Sequence, residues 1–542
     1  MNAPTANAAS TTSPSRAAGS AWAPFRHKAF AVIWAATVVS NVGTWMYNVA
    51  SGWLMTSLDP DPLIVSMVQV ANSLPMFLFA IPAGALVDIV DQRRFLIVGE
   101  SAITIVSTLF AALVWLHLVT PGSLLLFSFF VSVGSAITAP AWQAVVAQLV
   151  PKPELPPAVA ANSVGINVSR AVGPALGGVL VGALGIAAPF WLDAFSNIGV
   201  IAALVWWRSP KRNPSRLPPE SFTGAVRAGI RHARYNAHLS ATLVRAIGFF
   251  VFASAYWALL PLVARNQIGG GPSLYGILLG AIGVAAVGGA FPLRWLRAKL
   301  GADRLLAAAT LATSVAMALF AIAHDTVTAV AASLIAGASW IAAVSSLNVS
   351  AQVALPEWVR GRGLATYVTV MFGALTLGSV MWGELAAIGG LPAALLLAAV
   401  GALVAIPLTW RWKLQTGANV DFSPSMHWPD PVTTHEIEPD RGPVLVTIEY
   451  RIDPKNRELF LHALGRYARA RRRDGAYDWG IFEDPAEEGR FIETFLTDSW
   501  LEHLRQHQRV TNADRMLERT VRRFQVGAGP KTTHLVGAQE RN

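Results

Sequence analysis

About a dozen apolar stretches, each roughly 20 residues long, follow one another between residues 29 and 412 with short loops between them. A helix of that length covers about 30 Å, the thickness of a bilayer's hydrocarbon core. Read by hydropathy, the spans are 29–57, 63–88, 95–117, 122–149, 157–183, 187–207, 238–264, 273–296, 304–323, 327–354, 364–386 and 390–412. In lipid the backbone must satisfy its own hydrogen bonds, so such spans are helices. The expected fold class is an all-α membrane protein with twelve transmembrane helices.

Loop charge predicts the orientation, because basic residues stay on the cytoplasmic side. Arg26 and Lys28 precede the first span, and Arg93 and Arg94 follow the second. Lys152 follows the fourth, a basic loop from Arg208 to Arg234 the sixth, Arg294, Arg297, Lys299 and Arg304 the eighth. Arg360 and Arg362 follow the tenth and Arg411 and Lys413 the twelfth. Of the alternate loops, only that holding Arg265 breaks the pattern. Both termini are therefore expected in the cytoplasm of a bacterial inner membrane.

The composition agrees with lipid as the solvent: 53% of residues are hydrophobic and 14% charged. The net charge of +10 reads as a topology signal, so no nucleic-acid partner is inferred from it. The absence of cysteine excludes disulfides, thiolate nucleophiles and cysteine metal sites. Residues 1–21 are rich in Ala, Ser and Thr and lack an apolar run, which reads as a disordered tail with the first span as targeting signal.

The spans divide into residues 22–207 and 238–413, with a faint repeat at an offset of 205 residues. Pro151, Ala160, Gly173 and Gly178 fall on Pro356, Ala365, Gly378 and Gly383. Such a register implies two parallel six-helix repeats. Segment 208–237, with Pro210, Pro214, Pro218 and Pro219, reads as a cytoplasmic linker carrying an amphipathic helix from about Phe222 to Asn236. Residues 414–442 are proline-rich and polar, a second linker. From 443 to 526 the order strand, helix, hairpin around Asp484 and Pro485, and a long helix from about Ser499 to Phe524 predicts a small cytoplasmic α+β ferredoxin-like domain. Residues 527–542 read as a tail.

Two loops and helices carry recognisable motifs. Gly84, Leu86, Asp88, Arg93 and Arg94 surround the loop after the second span, where a glycine admits a neighbouring helix and an acid followed by bases can exchange ion pairs. Here the chain resembles the major facilitator superfamily, which implies a gating role for Gly84, Asp88, Arg93 and Arg94; Ile89 and Asp91 depart from the usual Arg and Gly. Gly173, Pro174, Gly177 and Gly178 lie in the fifth span, a segment able to bend and to seal without bulky side chains. They resemble the motif of the exporter and antiporter branches. The stretch from Ala139 to Gly178 resembles more narrowly the exporters related to the bacterial enterobactin exporter, the transmembrane secretion effectors. The resemblance covers residues 25–413 and implies efflux, with proton antiport expected of the family alone.

Polar groups inside spans are costly unless they face a cavity or a partner. Arg170, midway along the fifth span, is expected to face a central cavity, with Asp193 and Asn197 of the sixth span as partners; a static ion pair is the competing reading. Asn41, Trp45, Asn48 and Gly52 form one stripe along the first span and are expected to line a path for substrate or protons. Ser128, Ser132, Ser135, Trp142, Tyr256, Trp257, Asn348 and Gln352 are weaker candidates, and Glu100, Arg245 and Glu384 lie nearer span ends.

In the tail domain, His503 and His507 have a chelating spacing, but with no cysteine and no third ligand in view they read as a solvated helix face, and no metal or cofactor is expected. Arg469, Arg471, Arg472 and Arg473 read as a wet basic surface. The domain resembles small dimeric domains of the antibiotic-biosynthesis monooxygenase type, which implies dimerisation or regulation. No catalytic residue is assigned. The expected function is a secondary active exporter of a small amphipathic molecule, of drug or siderophore class, working by alternating access. An uptake carrier, or a membrane-anchored enzyme or sensor acting through the tail domain, stands as the alternative.

Overall fold

The apolar stretches are helices in the computed structural model, which describes residues 22–87, 90–208 and 227–538 apart from 228, 230, 233, 417–420, 424, 426, 429, 430, 432, 434 and 435. The first six are α1 (Lys28–Leu58), α2 (Pro62–Val87), α3 (Gln92–Trp115), α4 (Pro121–Leu149), α5 (Leu155–Leu184) and α6 (Ala188–Trp206). Then come α7 (Ala237–Leu262), α8 (Pro272–Ile322), α9 (Thr326–Val353), α10 (Arg360–Gly389) and α11 (Leu391–Thr409). Eleven of these helices are long and apolar enough to cross a membrane. Most of the expected amphipathic helix between α6 and α7 lies outside the described residues.

Helix α8 has 51 residues and would run about 76 Å if straight, more than twice the hydrocarbon thickness. It folds back instead. An added Cβ on Gly289 would stand 3.3 Å from the Cα of Ala338, while Thr313 Oγ1 donates to the next residue, Ser339 Oγ, at 2.9 Å. Residues 289 and 313 would be roughly 36 Å apart in one helix, yet both touch one turn of α9. The reversal is at Gly301, whose φ of 75° is in the left-handed region that a glycine reaches without strain.

Helices α1 to α6 pack together, as do α7 to α11, and the two groups meet chiefly where α2 packs on α10 and α5 on α8. Both seams use glycine. An added Cβ on Gly178 of α5 would stand 2.7 Å from the Pro272 carbonyl oxygen, and one on Gly383 of α10 2.0 Å from Ser66 Oγ of α2. Within each group the register repeats: Gly173 meets Trp45 and Val42 of α1, and Gly378 meets Ser254 and Val251 of α7. Large apolar side chains such as Phe291, Leu377 and Ile388 point outward, as expected where lipid replaces water.

The tail domain runs β1 (Val444–Arg451), α12 (Arg457–Arg473), β2 (Tyr477–Glu483), β3 (Arg490–Thr497), α13 (Trp500–Arg509), α14 (Asn512–Arg522) and β4 (Lys531–Val536). The sheet is antiparallel in the order β2-β3-β1-β4. Alternation along β1 buries Val444, Val446, Ile448 and Tyr450 against Phe460, Leu464 and Tyr467 of α12 and Phe491 and Phe495 of β3.

Three details differ from the sequence reading. The final helix is two helices, because Thr511 accepts from the Asp514 amide and starts a new turn. The stretch read as a tail after 526 supplies β4, which pairs with β1. Arg471 is buried 3.6 Å from Glu493, and Arg473 bridges Asp474 and Asp514 at 2.8 Å, so only part of the basic run is wet surface. The second linker packs on this domain, Trp428 Nε1 donating to Glu518 Oε2 at 2.9 Å. The domain in turn touches the basic-loop end of the helices, where Arg231 meets Glu502 at 3.3 Å and the Arg509 guanidinium lies 4.5 Å from the Trp358 ring centre.

Candidate functional site

A cavity of about 360 Å³ lies between the two helix groups, a volume in the range of small-molecule sites. Its walls are mostly apolar and aromatic, from Trp45, Trp257, Tyr275, Trp340 and Phe372. Asn48 of α1 and Gln69 and Asn72 of α2 add amide groups, and Arg170 is its one charged lining residue among those described. The Arg170 guanidinium carbon lies 5.6 Å from the centre of the Trp45 ring. Its Nε is buried with no hydrogen-bond partner among the described residues. A cation desolvated and under-bonded in this way is costly, which makes it a strong point of attachment for a ligand carrying an acceptor or negative charge.

The cavity is capped on the end away from the basic loops. Gly178 and Gly276 bring α5 and α8 together there, and Ser273 Oγ donates to the Gly178 carbonyl at 3.4 Å. Arg265 donates to Thr56 and Ser57, at 3.0 and 2.6 Å, and lies over Trp53. At mid-depth Ser73 of α2 and Thr376 of α10 share a buried hydrogen bond of 2.8 Å.

Asp193 and Asn197 stand elsewhere. Asp193 is buried behind α1 and accepts from Ser107 Oγ at 3.1 Å and Thr44 Oγ1 at 3.4 Å. Asn197 Oδ1 accepts from Ser40 Oγ at 2.6 Å. The expected Arg170–Asp193 pair is therefore not formed; hydroxyls on neighbouring helices satisfy the acid instead. Of the stripe on α1, Trp45, Asn48 and Gly52 line the cavity; Asn41, two turns from Asn48 towards the basic end, is not among the lining residues. Ser128 bonds Tyr47, and Trp142 donates to Glu100 at 2.8 Å. Gln69, Asn72, Tyr275 and Trp340 were not singled out by sequence; isolated amides and aromatics in apolar spans carry no periodic signal.

The loop motif acts within the first group. Arg93 donates through Nε and Nη2 to the carbonyls of Leu204 and Val205, at 2.8 and 2.7 Å, capping the C-terminus of α6. The Arg94 amide is capped by Asp91. Among the described residues nothing stands within 4 Å of a Cβ added to Gly84, and Asp88 lies outside them. In the other motif, Gly173 and Gly177 let α5 lie directly on α1, added Cβ atoms falling 2.6 Å from Trp45 Cβ and 2.9 Å from Met46 Cα. That contact sets Trp45 beside Arg170.

In the tail domain, β4 brings His534 to His503 and His507, a third histidine that sequence spacing does not reveal. Nearby, Glu518 is drawn down to about pKa 2: burial opposes this, but hydrogen bonds from Trp428 and His427 and the charges of Arg471 and Arg522 outweigh it.

Comparison with known proteins gives concordant results. The family model described as transmembrane secretion effector matches residues 19–542. The staphyloferrin A transporter of Staphylococcus aureus is 23% identical over 252 residues, 46% of this chain and 62% of that protein. Macrolide efflux protein A of Streptococcus pyogenes is 26% identical over 253 residues, 45% of this chain and 60% of that protein. The chain thus aligns with a little over half the length of these relatives. A crystal structure of a POT family transporter superposes with a TM-score of 0.59 at 13% identity, covering 71% of this chain and 96% of that one, a likeness of fold.

Proposed function

The chain belongs to the transmembrane secretion effector family of major facilitator transporters, and from that premise we propose that it is a secondary active exporter of a small amphipathic molecule. It is a multi-pass bacterial membrane protein. The observation that carries the proposal is the cavity between the two helix groups, apolar and aromatic with one cation, Arg170, at its wall. Such a site suits an amphipathic ligand bearing a carboxylate or other strong acceptor. The relatives named for staphyloferrin A and for macrolides support a siderophore or drug class.

The reversal at Gly301 supports counting α8 as two spans, giving twelve, and the matching glycine contacts of Gly173 and Gly378 support two six-helix repeats. The basic loops support a cytoplasmic position for both termini and for the tail domain. In that orientation the glycine seams close the outer end, and the cavity serves the cytoplasmic side, where an exporter loads. Opening the seams while closing the basic end would release the ligand outward, which is alternating access. Asp193 and Glu100, the buried carboxyls of the membrane-spanning part among the described residues, are the candidates for coupling protons. The strand order of the tail domain supports the ferredoxin-like assignment, and a dimer through it is part of the proposal.

Transport into everted membrane vesicles tests the reading, with amphipathic drugs and siderophores as trial substrates. Wild-type vesicles should accumulate a substrate that collapses on adding a protonophore, and Arg170→Ala should lower the rate about tenfold or more, with Arg170→Lys between. Uptake seen only in right-side-out vesicles would favour an importer. Equal rates for wild type and Arg170→Ala would remove Arg170 from the site.

A further inference from the structure

Helix α13 and strand β4 lie far apart in sequence and side by side in the tail domain. Their packing brings His503, His507 and His534 together, so that one ring nitrogen from each lies within 4.8 Å of the other two. His503 and His507 are one turn apart on α13, with ring centres 4.7 Å apart. His534 comes from β4, held in register by pairing opposite Val446, and its ring centre is 4.8 Å from that of His503.

The cluster is hard to explain as packing alone. His503 is 1% exposed and, among the described residues, neither of its ring nitrogens has a hydrogen-bond partner of good geometry, where a buried imidazole normally finds at least one. His507 and His534 are half-buried, so the group is enclosed on one side and reachable on the other. Trp500 packs on His503 at 5.5 Å and Trp428 on His507 at 5.1 Å, fixing both rings. Arg471, the nearby cation, is engaged with Glu493.

We propose that His503, His507 and His534 form a binding site for a divalent first-row transition metal of the zinc class, with an open fourth position. Three imidazoles plus one exchangeable ligand is an established tetrahedral set, and imidazole suits zinc, cobalt, nickel and copper. Metal–nitrogen bonds of 2.0–2.1 Å place tetrahedral ligands roughly 3.4 Å apart, so nitrogens now within 4.8 Å of one another need to close by at most about 1.4 Å. Helix α13 also carries Glu502 and Arg509, which touch Arg231 and Trp358 of the membrane part, so a bound metal would stiffen the helix on which the tail domain docks.

The test uses the full-length chain in nanodiscs, free of any histidine tag, stripped with chelator and titrated separately with Zn²⁺ and Co²⁺. Expected are one metal per chain by elemental analysis and the visible absorption of tetrahedral Co²⁺. His507→Gln and His534→Gln should each weaken binding at least about tenfold while the far-ultraviolet circular dichroism stays unchanged. His503→Gln is a further variant; should it fail to fold, the two half-buried positions decide. No stoichiometric metal in the wild type, or equal binding by wild type and the His507 and His534 variants, overturns the proposal.

Discussion

Gly178 and Gly276 face one another across the two helix groups, so close that a Cβ added to Gly178 would stand 2.9 Å from the Cα of Gly276, and the reverse 2.8 Å. The obstacle in each case is backbone, which cannot swing aside. Gly276→Val should therefore destabilise the state closed at this end, by about 1–3 kcal/mol. That amounts to a shift of roughly 5- to 150-fold in a two-state equilibrium. The chain has no cysteine, so Asn48→Cys can serve as a clean reporter of cavity access. Its labelling by an impermeant thiol reagent from the outer face should rise in the Gly276→Val background; unchanged labelling would mean that this contact does not set the closed state.

A second prediction concerns Gly173, which allows α1 to lie against α5. Gly173→Ala puts a methyl 2.6 Å from Trp45 Cβ and 3.0 Å from the Val42 carbonyl oxygen. Trp45 would be displaced from Arg170. A fall in thermal midpoint together with a several-fold loss of transport is expected, whereas Val172→Ala, on the exposed side of the same turn, should leave both near wild type.

The sequence carried the span pattern well because the cost of placing polar backbone in lipid leaves few alternatives. Helix α2, expected from 63 to 88, runs Pro62–Val87. What a helix meets is harder to read. The cost of polar groups in lipid pointed Arg170 inward with Asp193 and Asn197 as its partners, but could not tell that Ser107 and Ser40 would satisfy the last two while Arg170 faced Trp45. Strand β4 was missed because Lys531, Thr532, Thr533 and His534 lack the apolar alternation of β1. The histidine cluster went with it, since its third member is on that strand.

Asp193→Asn separates coupling from binding. The amide keeps the size of the side chain and one acceptor oxygen for Ser107 or Thr44, its NH2 donating to the other hydroxyl, but it cannot take up or release a proton. If the proton moves through Asp193, the variant should exchange labelled substrate across the membrane at equilibrium yet fail to accumulate it against a gradient. Normal accumulation by this variant with failure of Glu100→Gln would move the coupling site to Glu100.

The tail domain should lose stability in acid. Glu518 ionises at about 2 when folded and near the ordinary glutamate value of 4.5 when unfolded, so its stabilising contribution is complete above the unfolded pKa. It is lost progressively as pH falls from about 5 towards 2, on the order of 3 kcal/mol in all. Glu518→Gln should lower the domain's melting temperature at pH 7 and flatten its decline with acid, read by hydrogen exchange of residues 444–536 in the intact protein. An unaltered acid profile would show that other groups dominate.

The most direct test of alternating access is a reversible lock. Ser73 and Thr376 hydrogen-bond across the two groups at 2.8 Å, which makes the pair Ser73→Cys, Thr376→Cys a candidate cross-link. In everted vesicles, oxidation should stop substrate uptake and reductant should restore it, with each single variant unaffected. Cross-linked protein that still transports at the uncross-linked rate would contradict the mechanism, because the two groups would then not need to separate for the cavity to empty.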